Sequence, residues 1–140
     1  MTESPQSEPG VLVVLECGAG GEVTAASLEA LGAARTIAEA LDVGVDAALA
    51  GGAATQREVL GARGVRRVFE VSCATAEPGE TGWAAAQQCR PVAVVMAATA
   101  AGREAAGTLS GRMNSELVSG CTFITERDGA LQLGRPCLSG

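Results

Sequence analysis

Residues 11–35 read VLVVLECGAGGEVTAASLEALGAAR, and this stretch decides the fold class. It opens with an apolar, β-branched run over residues 11–15, which is typical of a strand buried on both faces. A glycine-rich turn follows, and Thr24 then stands where the N-cap of a helix belongs. Behind Thr24, apolar residues recur at helical spacing as far as Leu41. The stretch therefore predicts a strand, a turn and a helix in succession.

The same succession repeats along the chain. Strands that alternate with helices are typically parallel and joined by right-handed crossovers, so the pattern predicts a doubly wound sheet with helices on both faces. Gly64 stands where a left-handed residue would end a helix. The further strands are predicted over residues 43–49, 65–71 and 92–97, and the further helices over residues 56–62 and 102–117, with one or two helical turns over residues 83–89.

The pattern changes near the end of the chain. Two strand-like runs, residues 121–126 and 130–133, flank Arg127-Asp128-Gly129. A D-G pair between such runs indicates a β-hairpin. We therefore expect a Rossmann-like α/β fold with a mainly parallel sheet and a C-terminal β-hairpin.

The domain organisation follows from the same pattern. Residues 11–140 are expected to form a single domain. Residues 1–10, MTESPQSEPG, are acidic and polar, so we expect a disordered lead there rather than a signal peptide.

The composition excludes several classes of function. The chain contains no His and no Lys, so it has neither an imidazole base nor the lysine of a P-loop or a Schiff base. A net charge of −6 argues against nucleic acid as a partner, because phosphate binding needs a basic surface. No segment reaches the roughly 20 apolar residues of a membrane span, so no membrane insertion is expected. The sequence thus predicts a cytoplasmic protein that is not an enzyme.

The cysteines do not form a recognisable metal site. They are spread along the chain without a C-x-x-C pair, and no histidine is present to complete a zinc site. We interpret them as small buried hydrophobic residues and predict no bound metal. They are Cys17, Cys73, Cys89, Cys121 and Cys137.

A candidate binding crevice lies where the predicted strand order reverses, at the carboxyl ends of the strands. There the turn of residues 16–21 would face residues 98–103. Thr99, Gly102 and Arg103 begin a helix in the second segment, and their N–H groups, hydroxyl and guanidinium would suit a phosphate or carboxylate. A capped helix whose Arg pairs with a carboxylate explains the same residues, and the sequence leaves both interpretations open.

Three other features have simpler explanations. The glycine turn is not a dinucleotide fingerprint, because Val23 takes the place of the third glycine. Arg66 and Arg67 are adjacent in a strand, so one of them must face solvent or a partner, and we expect a solvated edge. Arg135-Pro136 ends the last strand, where Pro indicates an edge or a chain that leaves the sheet.

Four segments in this order resemble the N-terminal part of the electron transfer flavoprotein alpha subunit. Residues 11–35 resemble the family's strand, acidic residue, glycine turn and helix, and TAAGRE at residues 99–104 is similar to its T-x-x-G-R-D segment. Residues 117–122 and GRPCLSG at residues 134–140 resemble a strand pair that ends in R-P-x-Y-x-G. The chain departs from the family at Gly107-Thr108, where Pro-Arg is usual, at Gly120, where an acidic residue is usual, and in a shorter stretch around Trp83.

The resemblance implies an adenine nucleotide alpha hydrolase-like domain and an association with flavin. In the family, a C-terminal domain that follows this one holds most FAD contacts, and we expect the present chain to be truncated before it. The chain is therefore expected to hold no cofactor alone, with FAD, and AMP as a second candidate, bound in the implied complex. The implied partners are a beta-like subunit, in a heterodimer, and a chain that carries the FAD domain.

The function implied by the resemblance is a scaffold that supports electron transfer from flavin dehydrogenases. Thr99, Gly102 and Arg103 would line an anion or nucleotide crevice, and Arg135 and Pro136 would face the partner. An alternative hypothesis is a stand-alone adenine-nucleotide-binding module, similar to universal stress proteins, that uses the same crevice. A truncated remnant without a function of its own is the third hypothesis.

Overall fold

The chain folds as a layered α/β domain in a computed structural model that describes residues 8–72 and 76–137. Strands and helices alternate as the sequence predicts. The elements are β1 (Gly10–Val14), α1 (Ala25–Leu41), β2 (Gly44–Ala50), α2 (Ala53–Ala62), β3 (Val65–Val71), α3 (Pro78–Cys89), β4 (Ala93–Met96), α4 (Ala100–Met113), β5 (Phe123–Arg127) and β6 (Ala130–Gly134).

The central sheet has four parallel strands in the order β3-β2-β1-β4. The chain adds β2 and β3 on one side of β1 and then returns to place β4 on the other side. This reversal makes the sheet doubly wound, as predicted, and it brings the ends of β1 and β4 next to each other.

Helices cover both faces of the sheet, and β1 is buried against both. Alternate residues of a strand point to opposite faces, so Val11 and Val13 pack with α1 and α2, whereas Leu12 and Val14 pack with α3. All five residues of β1 are buried, which explains why its sequence is apolar without alternation.

Helix α4 packs on α3 through a close approach of the two helices. A Cβ at Gly82 in α3 would come within 2.8 Å of Leu109 in α4 and within 3.0 Å of Val14 in β1, so a larger residue there would require these side chains to shift. The guanidinium of Arg112 lies 5.6 Å from the ring of Trp83 and forms a cation–π contact between the same helices.

Several predicted helix boundaries differ from the structure. The predicted helix of residues 102–117 ends at Met113, because Asn114 takes a left-handed conformation (φ 49°) that terminates the helix. Helix α3 has three turns rather than one or two, since Pro78 occupies its first turn. Gly64 is left-handed as predicted (φ 88°). Residues 1–7 of the expected lead lie outside the described residues, and β1 already includes Gly10.

The predicted hairpin is present. Strands β5 and β6 pair antiparallel, and Asp128 (φ 53°) and Gly129 (φ 78°) form the turn between them. Two left-handed residues are the signature of a type I′ turn, which matches the twist of a hairpin. Ile124 and Leu131 attach the hairpin to the core cluster that includes α1, while all but three residues of the segment 114–137 are exposed.

The prediction that the cysteines are buried is only partly correct. Cys89 is buried in α3 and Cys17 is partly buried, but Cys121 and Cys137 are exposed because they flank the hairpin outside the core. Cys73 lies outside the described residues. Burial, assisted by the charge of Asp46, raises the pKa of the Cys89 thiol.

Arg66 is exposed on β3, an edge strand of the sheet, in line with the solvated edge expected from the sequence, but Arg66 and Arg67 also bind the same buried carboxylate. Val45 pairs with Val65 but Asp46 pairs with Arg67, so Arg66 is the extra residue of a β-bulge. The bulge lets two adjacent side chains reach Asp46, which is 1% exposed.

The contacts of Asp46 form a complete ionic cluster at the amino end of the sheet. The Nε atoms of Arg66 and Arg67 lie 3.0 and 2.9 Å from Oδ1, and their Nη2 atoms lie 3.2 and 2.8 Å from Oδ2. Arg66 also donates to the backbone oxygens of Glu8 and Pro9 at 3.0 Å, which ties the start of the described chain to β3. Burial alone would raise the pKa of Asp46, but the hydrogen bonds and charges of the two arginines outweigh it and lower that pKa.

Replacing Asp46 with Ala should lower the free energy of unfolding by about 3 kcal/mol. This value is at the low end for breaking a buried ion pair, because both arginines are partly exposed and can be hydrated. Urea denaturation measures the change. Glu58→Ala, which removes an exposed carboxylate from α2, is the control and should change stability by less than about 0.5 kcal/mol.

The same cluster predicts a pH dependence. The pKa of Asp46 is lower in the folded chain than its ordinary 3.8. Its contribution is therefore present above that value and is lost as the pH falls through the folded-state pKa. Wild type should lose more stability than Asp46→Ala on acidification below about pH 4, and equal losses would contradict the role of this carboxylate.

Candidate functional site

The crevice predicted from the sequence lies between the turn that follows β1 and the turn that follows β4. Glu16 stands two residues after β1, and Thr99 stands just before α4. The Thr99 hydroxyl donates a hydrogen bond of 2.8 Å to Oε2 of Glu16. The fold thus joins two residues that are 83 positions apart in sequence.

Thr99 is also the N-cap of α4. Its Oγ1 accepts a 3.0 Å hydrogen bond from the backbone N–H of Gly102, which satisfies one of the free donors at the helix start. The hydroxyl therefore donates to Glu16 and accepts from Gly102 at the same time. Both hydrogen bonds are to groups of this chain, so neither is left for a ligand.

Glu16 is held in place by the start of α1. Its backbone N–H donates to Oγ of Ser27 at 2.8 Å, and its backbone oxygen accepts from the N–H of Thr24 at 3.0 Å. Thr24 caps α1 by accepting from the N–H of Ser27 at 3.2 Å. Ser27 is fully buried, so this polar contact fixes the turn after β1 against α1.

Gly102 is required by the close approach of α4 to the end of β4. A Cβ at this position would overlap the carbonyl oxygen of Ala97 and come within 3.1 Å of Oγ1 of Thr99. The glycine in the T-x-x-G-R segment is thus a packing residue that lets Thr99 cap the helix.

The other predicted site residues are exposed. Arg103 lies on the surface one residue after Gly102, and within residues 8–72 and 76–137 it forms no ion pair. Arg135 and Pro136 follow β6 and are exposed as well. The described contacts do not bring Arg135 or Pro136 to the crevice.

Backbone hydrogen bonds within the glycine turn, residues 17–23, hold it together. The N–H of Gly18 donates to the backbone oxygen of Glu22 at 2.7 Å, and the N–H of Gly21 donates to the oxygen of Gly18 at 3.0 Å. Cys17 and Val23 form a bridge at the base of the turn. Burial, and then the charge of Glu22, raises the pKa of the Cys17 thiol, so this thiol is less nucleophilic than an ordinary cysteine.

The crevice already holds one negative charge, the carboxylate of Glu16, so it suits a bound anion poorly. The start of a helix attracts negative charge, and the carboxylate of Glu16 already lies against the cap of α4. A phosphate of AMP or FAD bound at Thr99 would meet this carboxylate and would compete for the same hydroxyl. The crevice as the structure describes it therefore does not fit a phosphate-bearing cofactor.

Comparison with known families is decisive about the kind of protein. The family model described as electron transfer flavoprotein domain matches residues 11–140. The chain belongs to the electron transfer flavoprotein domain family. The resemblance to the alpha subunit's N-terminal domain is thereby confirmed, and members of this family are electron carriers associated with flavin.

Other comparisons add less. Among solved structures, protein Rv1636 from Mycobacterium tuberculosis is similar to this chain, with a TM-score of 0.45 and 21% sequence identity over 85% of this chain and 100% of that chain. No curated protein matches the chain.

The described residues of this electron transfer flavoprotein domain include neither a helix that could span a membrane nor a cluster that could bind a metal ion. None of its described helices has both the length and the apolar character that crossing a membrane requires. The part of the chain that the structure describes contains no cluster of acidic and cysteine residues that could hold a metal ion.

The roles of Glu16 and Ser27 were not predicted from the sequence. The pattern T-x-x-S at residues 24–27 could have indicated that Ser27 lies in the first turn of α1, but its partner is backbone from another segment. The acceptor of the Thr99 hydroxyl could not be found from spacing alone, because it depends on which strands become neighbours.

Gly102→Ala should destabilise this domain by about 2 kcal/mol, because the new methyl group overlaps the Ala97 carbonyl and forces α4 away from β4. Gly107→Ala is the matched control in the same helix, since nothing lies within 4 Å of its Cβ position. It should stabilise by about 0.5–1 kcal/mol. Thermal denaturation measures both, and equal effects of the two variants would contradict the packing role of Gly102.

Proposed function

We propose that this chain is a cytoplasmic scaffold domain of an electron transfer flavoprotein assembly in which another chain supplies the flavin. The observation that carries the proposal is the family match over residues 11–140. In such an assembly this domain would orient its partners, whereas the bound flavin would accept and donate the electrons.

The internal contacts of the crevice support a role without a cofactor of its own. Glu16 and Gly102 already use the hydroxyl of Thr99, and the donors of the glycine turn bond within the turn. Thr99, Gly102 and Arg103 remain proposed as an anion crevice of the assembled complex only. A partner would have to draw Glu16 away from Thr99 before a phosphate could bind there.

The free edge of β4 is the proposed docking surface for the flavin-bearing partner. Strand β4 is last in the strand order and carries the uncharged sequence AVVM. The opposite edge, β3, is protected by Arg66, Arg67 and Glu70 and by a bulge. Charges and bulges prevent unwanted strand pairing, and the described residues of β4 contain neither.

Two exposed features near the sheet extend this surface in the proposal. Val92, just before β4, is 54% exposed and offers an apolar contact beside the free edge. Arg135 and Pro136 are proposed to face the beta-like subunit, where the exposed guanidinium of Arg135 would pair with a carboxylate.

The alternative of a stand-alone nucleotide-binding module has no comparable support. It needs the crevice to bind a phosphate without help, yet the carboxylate of Glu16 lies there. Titration of the purified chain with AMP or ATP in a calorimeter tests this alternative directly. Micromolar binding by the isolated chain would favour it over the scaffold proposal.

Capture of the tagged full chain together with a beta-like subunit and an FAD-domain chain should yield a yellow complex with a flavin absorption spectrum. Val92→Lys should weaken capture at least tenfold, because it places a charge beside the apolar edge of β4. Val59→Lys is the matched control, since Val59 lies in α2 and is similarly exposed at 46%.

The capture experiment distinguishes the assembly itself from docking at β4. A colourless chain that elutes alone would contradict the scaffold proposal. Equal loss of capture by both variants would contradict docking at β4 but not the assembly itself.

A further inference from the structure

The outer edge of β6 is an unprotected strand edge that could pair with another strand. Within the described residues, β6 pairs with β5 alone. A two-stranded hairpin is marginally stable without further contacts. The strand ALQLG contains no charge and no Pro, so it lacks the usual protection of an edge.

The two faces of the hairpin differ in character. Residues opposite each other in an antiparallel pair share a face, so Leu131 and Leu133 lie on the same face as Ile124, which packs against the core. Leu133 nevertheless remains 42% exposed. Gln132 lies on the opposite face, which is exposed and also carries Phe123 and Thr125.

The sequence of β6 is complementary to itself. If a second copy pairs antiparallel about a two-fold axis at Gln132, Leu131 of each copy lies opposite Leu133 of the other. Ala130 then lies opposite Gly134, and the two Gln132 side chains meet at the axis. Every residue of β6 is therefore matched with one of similar polarity.

Charges just outside β6 strengthen this register. In the same pairing, Arg135 of one copy lies beside the Asp128-Gly129 turn of the other, so two Arg135–Asp128 pairs of opposite charge form across the axis. Strand β5 has no such match, because pairing it with itself about Thr125 would place Phe123 opposite Arg127 and Ile124 opposite Glu126.

The backbone geometry agrees with this register. In a hairpin closed by a two-residue turn, the pair next to the turn exchanges backbone hydrogen bonds. The N–H and C=O groups of Leu131 and Leu133 therefore point away from β5. These are the groups that an antiparallel copy would use, with the two leucines directly opposite each other.

We infer that two copies of this chain associate through β6 into a two-fold dimer with a four-stranded antiparallel sheet, in the order β5-β6-β6-β5. Both domains then lie on the same side of that sheet, and Leu133 of each copy becomes buried between them. This goes beyond the proposed scaffold function, and it concerns the chain when no partner contacts the hairpin.

The purified full chain tests the dimer by sedimentation velocity over a range of concentrations. The contact is small, so we expect half-association at about 10–100 μM. A reductant must be present, because the exposed Cys121 and Cys137 flank the hairpin and could otherwise form a disulfide between copies.

Leu133→Glu should raise the dissociation constant at least tenfold, because it places a carboxylate between the two domains. Phe123→Glu is the matched control: Phe123 is also an exposed apolar residue of the hairpin, at 57%, but it lies on the other strand and the other face. This control should associate as wild type does.

Two variants at the axis test the register. Gln132→Glu and Gln132→Lys should each weaken association severalfold, because like charges would meet at the two-fold axis. Their equimolar mixture should associate at least as well as wild type, because each dimer then contains one charge of each sign.

A wild-type chain that stays monomeric at several hundred micromolar would overturn the inference. So would unchanged association of Leu133→Glu, or an equimolar mixture of the two Gln132 variants that associates no more tightly than either variant alone. No flavin or partner chain is present in these experiments. Their failure is therefore distinguishable from failure of the scaffold proposal, which the capture experiment reports.

Discussion

Burial of β1 on both faces and along both edges is the constraint on which the rest of the structure depends. Its neighbours β2 and β4 pair with it, and all its side chains are buried between helical layers. The polar clusters described above lie on either side of this strand's apolar centre. The Asp46 side chain, from β2, lies close to Gly10 at the start of β1, and Glu16 follows the carboxyl end of β1.

Both clusters connect segments that are distant in sequence. Asp46 holds the β-bulge of β3 and, through Arg66, the backbone before β1. Glu16 holds the cap of α4 and the first turn of α1. Buried polar groups are costly unless they are hydrogen-bonded. The Asp46 carboxylate binds two arginines of β3, whereas Glu16 binds Thr99 through its carboxylate and Thr24 and Ser27 through its backbone. These charged contacts thus fix the positions of turns and of a sheet edge.

The features that the sequence predicts well are local. Thr24 caps a helix and Asp128-Gly129 closes a hairpin because each conformation depends on residues a few positions away. The doubly wound sheet was predictable because β-branched runs alternate with helical spacing. In contrast, the sequence indicated that one of Arg66 and Arg67 faces solvent or a partner but not that both bind Asp46. A bulge depends on pairing with another strand, so local sequence does not reveal it. The contact between Thr99 and Glu16 depends likewise on the strand order, so the sequence indicated the crevice but not its occupant.

The cation–π contact between Trp83 and Arg112 has a spectroscopic consequence. Trp83 is the only tryptophan and the chain has no tyrosine, so intrinsic fluorescence excited in the near ultraviolet comes almost entirely from this indole. Its emission reports the packing of α4 on α3. The hairpin packs with α1 on the other face of the sheet and contains no such fluorophore. A fluorescence signal that stays constant while circular dichroism changes would therefore identify the hairpin as a separately melting part of the domain.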